Sequence, residues 1–172
     1  IKTPSLDSGC LKGVMRKKII EYSKFFPEYN LEETTISPFE LLSAKEIWLT
    51  NSILGIVPVT SYRNKIFTND LAKIFIKFLN KKVTDFYNER RAQLKNVQPN
   101  TAHYNFAKLE EMYEGEVWHL TQNVDNLLEQ AGCKNVIHLH GTLTDLRCES
   151  CDEVFEVMYK KQTDDMICPN CE

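Results

Sequence analysis

Cys148 and Cys151 form one C-x-x-C pair and Cys168 and Cys171 a second, with residues 152–167 between them. Two such pairs at this spacing read as the four thiolates of a zinc ribbon rather than as disulfides. Four thiolates close a tetrahedron and leave no open position for catalysis, so the zinc (Zn2+) expected here is structural. The module is predicted over residues 143–172. Cys10 and Cys133 are left over. Free thiols beside a thiolate zinc site predict a reducing, cytoplasmic compartment, and the segment IKTPSLDSGC shows neither the basic nor the apolar region of a secretory signal.

At 172 residues and 20.0 kDa the chain suits one medium domain or two small ones. No apolar run approaches the ~18 residues of a membrane span. A net charge of −3 and a pI near 5.9 argue against general nucleic-acid binding. The charge is uneven: Lys and Arg exceed Asp and Glu over residues 1–81, and the reverse holds over 82–172, which also carry all four histidines. This shift predicts two segments of different origin, 1–81 and 82–172, the latter divided into a core (82–142) and the zinc module.

The pattern predicts α/β structure throughout. Residues 1–12 read as loop. Met15, Ile19, Tyr22 and Phe26 recur at helical spacing from Gly13 until Pro27. Ser37 and Pro38 open a short helix over 36–44. Residues 46–53 and 55–59 read as strands. Helices are expected over 69–79, 82–96 and 102–112. Residues 117–121 read as a buried strand, 124–130 as a helix closed by Gly132, and 136–139 as a further strand.

Thr121-Gln122-Asn123-Val124-Asp125 thus follows a strand and opens a helix, and the next strand ends at His138-Leu139-His140-Gly141. Ligands of open α/β sheets gather at the carboxyl ends of strands. An amide there can orient a sugar hydroxyl or water, a carboxylate can accept from a carboxamide, and an imidazole can take a proton near neutral pH. The same residues also suit a polar rim that caps sheet and helix.

Pro99-Asn100-Thr101-Ala102-His103, the Thr121–Asp125 run, Ala131-Gly132, His138–Gly141 and the two C-x-x-C pairs occur in the order in which they resemble the sirtuin family of NAD-dependent protein-lysine deacylases. The resemblance spans about residues 82–172. It implies a partial Rossmann-like core with a four-cysteine zinc ribbon, NAD as cofactor and an acylated-lysine protein as substrate. It implies that His140 is the general base on the NAD ribose and that Asn123 orders ribose and water. Gln122 would line the NAD pocket and Asp125 would face the nicotinamide. The acyl oxygen attacks the anomeric carbon, nicotinamide leaves, and the products are free lysine and an O-acyl-ADP-ribose. Tyr87 and Arg90 lie three apart on one helical face. They suit a charged surface, and they also resemble the pair in family members that accept succinyl- or malonyl-lysine, where Arg grips a carboxylate.

In the first part, Gly13-Val14-Met15-Arg16 opens a helix whose free N–H groups can hold a phosphate, as any helix start can. With Thr3-Pro4-Ser5-Leu6, Leu49-Thr50-Asn51-Ser52 and Gly55-Ile56-Val57-Pro58-Val59, it resembles the C-terminal part of fold-type IV pyridoxal-phosphate (PLP) enzymes, aminodeoxychorismate lyase and the branched-chain aminotransferases. Val14, Met15, Thr50 and Asn51 would then surround the PLP phosphate, while the lysine that carries the cofactor lies upstream in that family. The chain contains no G-x-G, the loop that cradles a pyrophosphate in sirtuins. Three readings follow: an incomplete NAD-dependent deacylase, a PLP lyase or aminotransferase fragment, or a non-catalytic zinc-binding chimera.

Overall fold

The computed structural model describes residues 1–171 as two units, Ile1–Lys81 and Lys82 onward. The first unit begins with β1 (Lys2–Pro4), α1 (Val14–Ser23) and β2 (Glu32–Thr34), with β1 and β2 paired in parallel. Residues 1–12 are therefore not all loop. Thr3 reaches the ladder, and Arg16 of α1 binds the Pro4 carbonyl (2.7 Å) and the Glu33 carboxylate (2.6 Å), tying both strands to the helix. The short helix α2 (Pro38–Ser43) starts as expected, in a capping box. The Ser37 hydroxyl accepts from Glu40 N, and the Glu40 carboxylate accepts from Ser37 N.

Next come the hairpins β3 (Trp48–Asn51) with β4 (Gly55–Pro58) and β5 (Ser61–Tyr62) with β6 (Lys65–Ile66). The Asn51 side-chain oxygen accepts from Ile53 N and Leu54 N, and Gly55 has φ +70°, so this turn needs its Asn and its Gly. The core is Ile19, Ile56, Ala72 and Phe75. Phe75 is fully buried between Phe26 (4.6 Å between ring centroids) and Trp48 (5.3 Å).

Phe75 lies on α3 (Asp70–Leu94), whose residues 70–81 belong to the first unit and 82–94 to the second. The sequence predicts two helices here; the structure has one. Residues 80–82 are Asn-Lys-Lys, with no Pro or Gly to end a helix, and lysine is a good helix former. The start of α3 is held by Glu46, whose carboxylate accepts from Leu71 N (2.8 Å), Ala72 N (3.0 Å) and Trp48 Nε1 (2.9 Å). Burial opposes this charge, yet these donors keep the Glu46 carboxyl below its ordinary pKa.

The second unit continues with α4 (Thr101–Met112), β7 (His119–Thr121), α5 (Leu127–Ala131), β8 (Val136–His138), β9 (Asp145–Arg147) and β10 (Val154–Glu156). Asn100 and His103 cap α4 reciprocally. β7 and β8 pair in parallel across α5, and β9 and β10 pair antiparallel. Gly132 closes α5 at φ +107°. The helix opens at Leu127 rather than Val124: Asp125 Oδ1 accepts from Leu127 N, and residues 122–126 before it are irregular, with a bend at Asp125. β7 is not buried: Leu120 is 64% exposed, since β8 is its only neighbour among the described residues. Leu94, Leu127 and Leu143 make the core of this unit.

Candidate active site and metal centre

In the register of the parallel pair Thr121 faces His138, and Leu139 N donates to the Thr121 carbonyl (2.9 Å). The residues just past β7 and β8 therefore emerge side by side. After β7 come Gln122 and Asn123, both exposed, and Asp125, half-buried. The Asn123 N–H donates to Thr121 Oγ1, which leaves the Asn123 amide free of this turn. After β8 comes His140, exposed and without a hydrogen-bond partner among the described residues. Gly141 beside it has φ +72°. No protein atom lies within 4 Å of where a Cβ would stand, so the backbone angle, not crowding, calls for glycine.

His138 behaves differently from His140. Its Nδ1 meets the Asn123 carbonyl at 2.9 Å and its Nε2 meets Glu129 Oε1 at 2.7 Å. Both partners only accept, so both ring nitrogens are favoured as donors and the ring as a cation. Burial would lower its pKa; the Asn123 carbonyl and the Glu129 carboxylate outweigh it and raise the pKa above 6.5.

Tyr87 and Arg90 are exposed on α3; Tyr87 meets Phe86 edge-on and the Arg90 guanidinium lies 5.3 Å from the Phe86 ring centre. No hydrogen bond joins them to the strand-end residues among those described. A groove beside α3 is lined by Lys82, Asp85, Phe86, Glu89, Tyr159 and Lys161, and His140 does not contribute to it. The buried polar pair is instead Asn88 and Arg91, which sequence reasoning missed. Arg91 Nε donates to the Leu143 carbonyl (2.6 Å) and Nη1 to Asn88 Oδ1 (2.8 Å). Asn88 exchanges two bonds with the Gln162 backbone. The signal was available: Asn88, Arg91 and Leu94 recur at i, i+3 on the stripe that ends in a core leucine.

The four cysteines converge. Sγ atoms of Cys148 and Cys171 are 3.6 Å apart, as are those of Cys151 and Cys168, and all four lie within 4.8 Å of one another. Tetrahedral zinc with Zn–S of about 2.3 Å separates its sulfurs by about 3.8 Å, so the set fits the ion. Ser150 N donates to Cys148 Sγ and Asn170 N to Cys168 Sγ, each at 3.4 Å. The backbone donors of Ser150 and Cys151 pull the Cys148 thiol down to about 6, while the neighbouring sulfurs of Cys151, Cys148 and Cys168 push Cys171 up to about 12.

In the first unit Val14 opens α1 and is exposed, and Met15 packs on the core, 3.9 Å from the Cβ position of Gly55. The start of α1 therefore lies beside the β3–β4 hairpin that carries Thr50 and Asn51. Gly13 provides no side-chain cap.

A family model described as the Sir2 family matches residues 62–172. The chain belongs to the Sir2 family. A second model, amino-transferase class IV, matches residues 1–62. An NAD-dependent protein deacylase of Campylobacter jejuni is 55% identical over 91 residues, 53% of this chain and 39% of that protein. This Sir2-family chain thus spans about two fifths of the length of the curated relatives it matches. A crystal structure of a Sir2 homolog–NAD complex is 40% identical (TM-score 0.48), over 63% of this chain and 43% of that one. A Thermotoga maritima protein assigned as a branched-chain amino acid aminotransferase is 39% identical (TM-score 0.37), over 39% of this chain and 24% of that one. No helix among the described residues is long and apolar enough to cross a membrane.

Proposed function

We propose that the second unit is the ribose- and nicotinamide-facing part of an NAD-dependent protein-lysine deacylase. The observation that carries this reading is the parallel pair β7–β8, whose adjacent carboxyl ends present Gln122, Asn123 and Asp125 beside His140, which is exposed and unpartnered among the described residues. NAD, when bound, supplies an electrophilic anomeric carbon for the acyl oxygen. His140 takes a proton from a ribose hydroxyl, the task of an imidazole near neutral pH. The Asn123 amide orients the ribose and a water, Gln122 lines the pocket, and the free acceptor capacity of Asp125 receives the nicotinamide carboxamide. Tyr87 and Arg90 hold the distal carboxylate of a succinyl or malonyl group. The cluster of Cys148, Cys151, Cys168 and Cys171 holds a structural zinc ion that orders the β9–β10 module. A cytoplasmic location agrees with the free thiols.

Product analysis tests the reaction type. The 91 matched residues replace their counterparts in the Campylobacter jejuni deacylase, and the hybrid is given NAD and acyl-lysine peptide. Mass spectrometry should show nicotinamide, free-lysine peptide and O-acyl-ADP-ribose in equal amounts. Release of a free carboxylate with no ADP-ribose ester would overturn the reading.

A second reading concerns the first unit. The uncapped start of α1 beside the hairpin, within the class IV match, supports a phosphate-holding role for Val14, Met15, Thr50 and Asn51 toward PLP. Saturable binding of pyridoxal phosphate, displaced by inorganic phosphate, is the expected result; no binding overturns it.

A further inference from the structure

Outside the four-cysteine cluster a second set of metal-ligating side chains meets in the second unit. Glu110 comes from α4, His119 opens β7, and Cys133 follows the Gly132 cap of α5. One ligand atom from each lies within 4.8 Å of the others. All three are withdrawn from water: the Glu110 and His119 side chains are 11% and 9% exposed and Cys133 is 5% exposed.

An independent observation points to a ligand. His119 Nε2 is fully buried and makes no hydrogen bond among the described residues. It sits 3.3 Å from Glu110 Oε2 without the geometry of one. A buried ring nitrogen left without a partner has given up water and gained nothing in return. The Phe106 ring packs edge-on against the imidazole (5.7 Å) and helps hold it in place. The Glu110 carboxylate is fixed by Lys134 N, which donates to it at 3.0 and 3.2 Å.

We propose that Glu110, His119 and Cys133 bind a second divalent cation of borderline softness, zinc first. The mixed O, N, S donor set selects zinc over magnesium or calcium, which take oxygen ligands. Bonds of about 2.0–2.1 Å to nitrogen and oxygen put a tetrahedral N···O edge near 3.3 Å, the separation seen here. Binding replaces the Cys133 thiol proton with the metal, so one proton is released to solvent for each ion taken up. Three protein ligands leave a fourth position for water. The site joins α4, the amino end of β7 and the α5–β8 connection. It lies at the opposite end of β7 from Asn123, so its role is to fix the strand rather than to meet NAD.

The test is zinc content of the purified 172-residue chain after dialysis against zinc and then buffer. About two ions per chain are expected, falling to about one in Cys133→Ala and in His119→Gln. Cobalt(II) substitution checks that the loss is local. Cys133→Ala should keep the intense four-thiolate absorption of the C-x-x-C cluster and an unchanged far-ultraviolet dichroism. About one ion in the unmodified chain, or about two that survive both variants, overturns the proposal.

Discussion

Arg90 and Arg91 are neighbours in sequence and opposites in environment, one exposed and one 3% exposed. Arg91 has no carboxylate partner among the described residues, and burial lowers its pKa. Its two hydrogen bonds link α3 to Leu143 and, through Asn88, to Gln162. Arg91→Met should lower the stability of the second unit by about 1–3 kcal/mol, measured by urea denaturation, through lost charge-assisted hydrogen bonds. Arg90→Met should leave stability within about 0.5 kcal/mol and shift the proposed acyl preference of the hybrid from succinyl toward acetyl. Equal turnover of both peptides before and after substitution would remove the proposed role of Tyr87 and Arg90. Tyr87 and Arg90 were legible in the sequence as one helical face, but which of two adjacent arginines is buried depends on helix phase relative to Leu94.

At the scale of elements, hydrophobic period and capping residues read well. Ser37 with Pro38 and Gly132 mark helix ends where the structure has them. What local patterns could not give was continuity: α3 runs on because nothing interrupts it. Nor could they give the meeting of Glu110, His119 and Cys133, which lie far apart in sequence. The β7–β8 crossover carries its own pH dependence. His138 has a folded pKa raised above 6.5, so its bond to Glu129 stabilises the fold fully below about pH 6.5. That contribution is lost as pH rises through the raised value. Glu129 is 40% exposed, so solvent limits the effect to about 0.5–1 kcal/mol. The stability gap between the unmodified chain and His138→Gln should narrow as pH rises above the folded pKa; a gap independent of pH would contradict this. In the β9–β10 module, Cys151→Ser should remove about one zinc ion per chain and loosen the module, since metal binding drives the folding of such small units. An unchanged zinc content would exclude the four-thiolate assignment.

For the whole molecule, two family models match one chain: the Sir2 family, to which it belongs, over residues 62–172, and amino-transferase class IV over residues 1–62. Charge sign and histidine content also change along the chain, between residues 1–81 and 82–172. The Sir2-family part corresponds to about two fifths of a curated relative. Catalysis by the proposed route needs NAD held at its pyrophosphate as well as its ribose, and orientation of reactants contributes up to ~7–11 kcal/mol in favourable systems. This chain should therefore carry the proposed chemistry-bearing residues yet not turn over alone. The direct measurement is nicotinamide release from NAD with acetyl- and succinyl-lysine peptides. It is run side by side on the 172-residue chain, on the Campylobacter jejuni hybrid that contains its matched residues, and on that hybrid with His140→Tyr. Peptide-dependent release is expected from the hybrid, with a loss of about 100-fold or more on His140→Tyr and none above that background from the 172-residue chain. A folded, zinc-loaded hybrid no more active than its His140→Tyr form would contradict it.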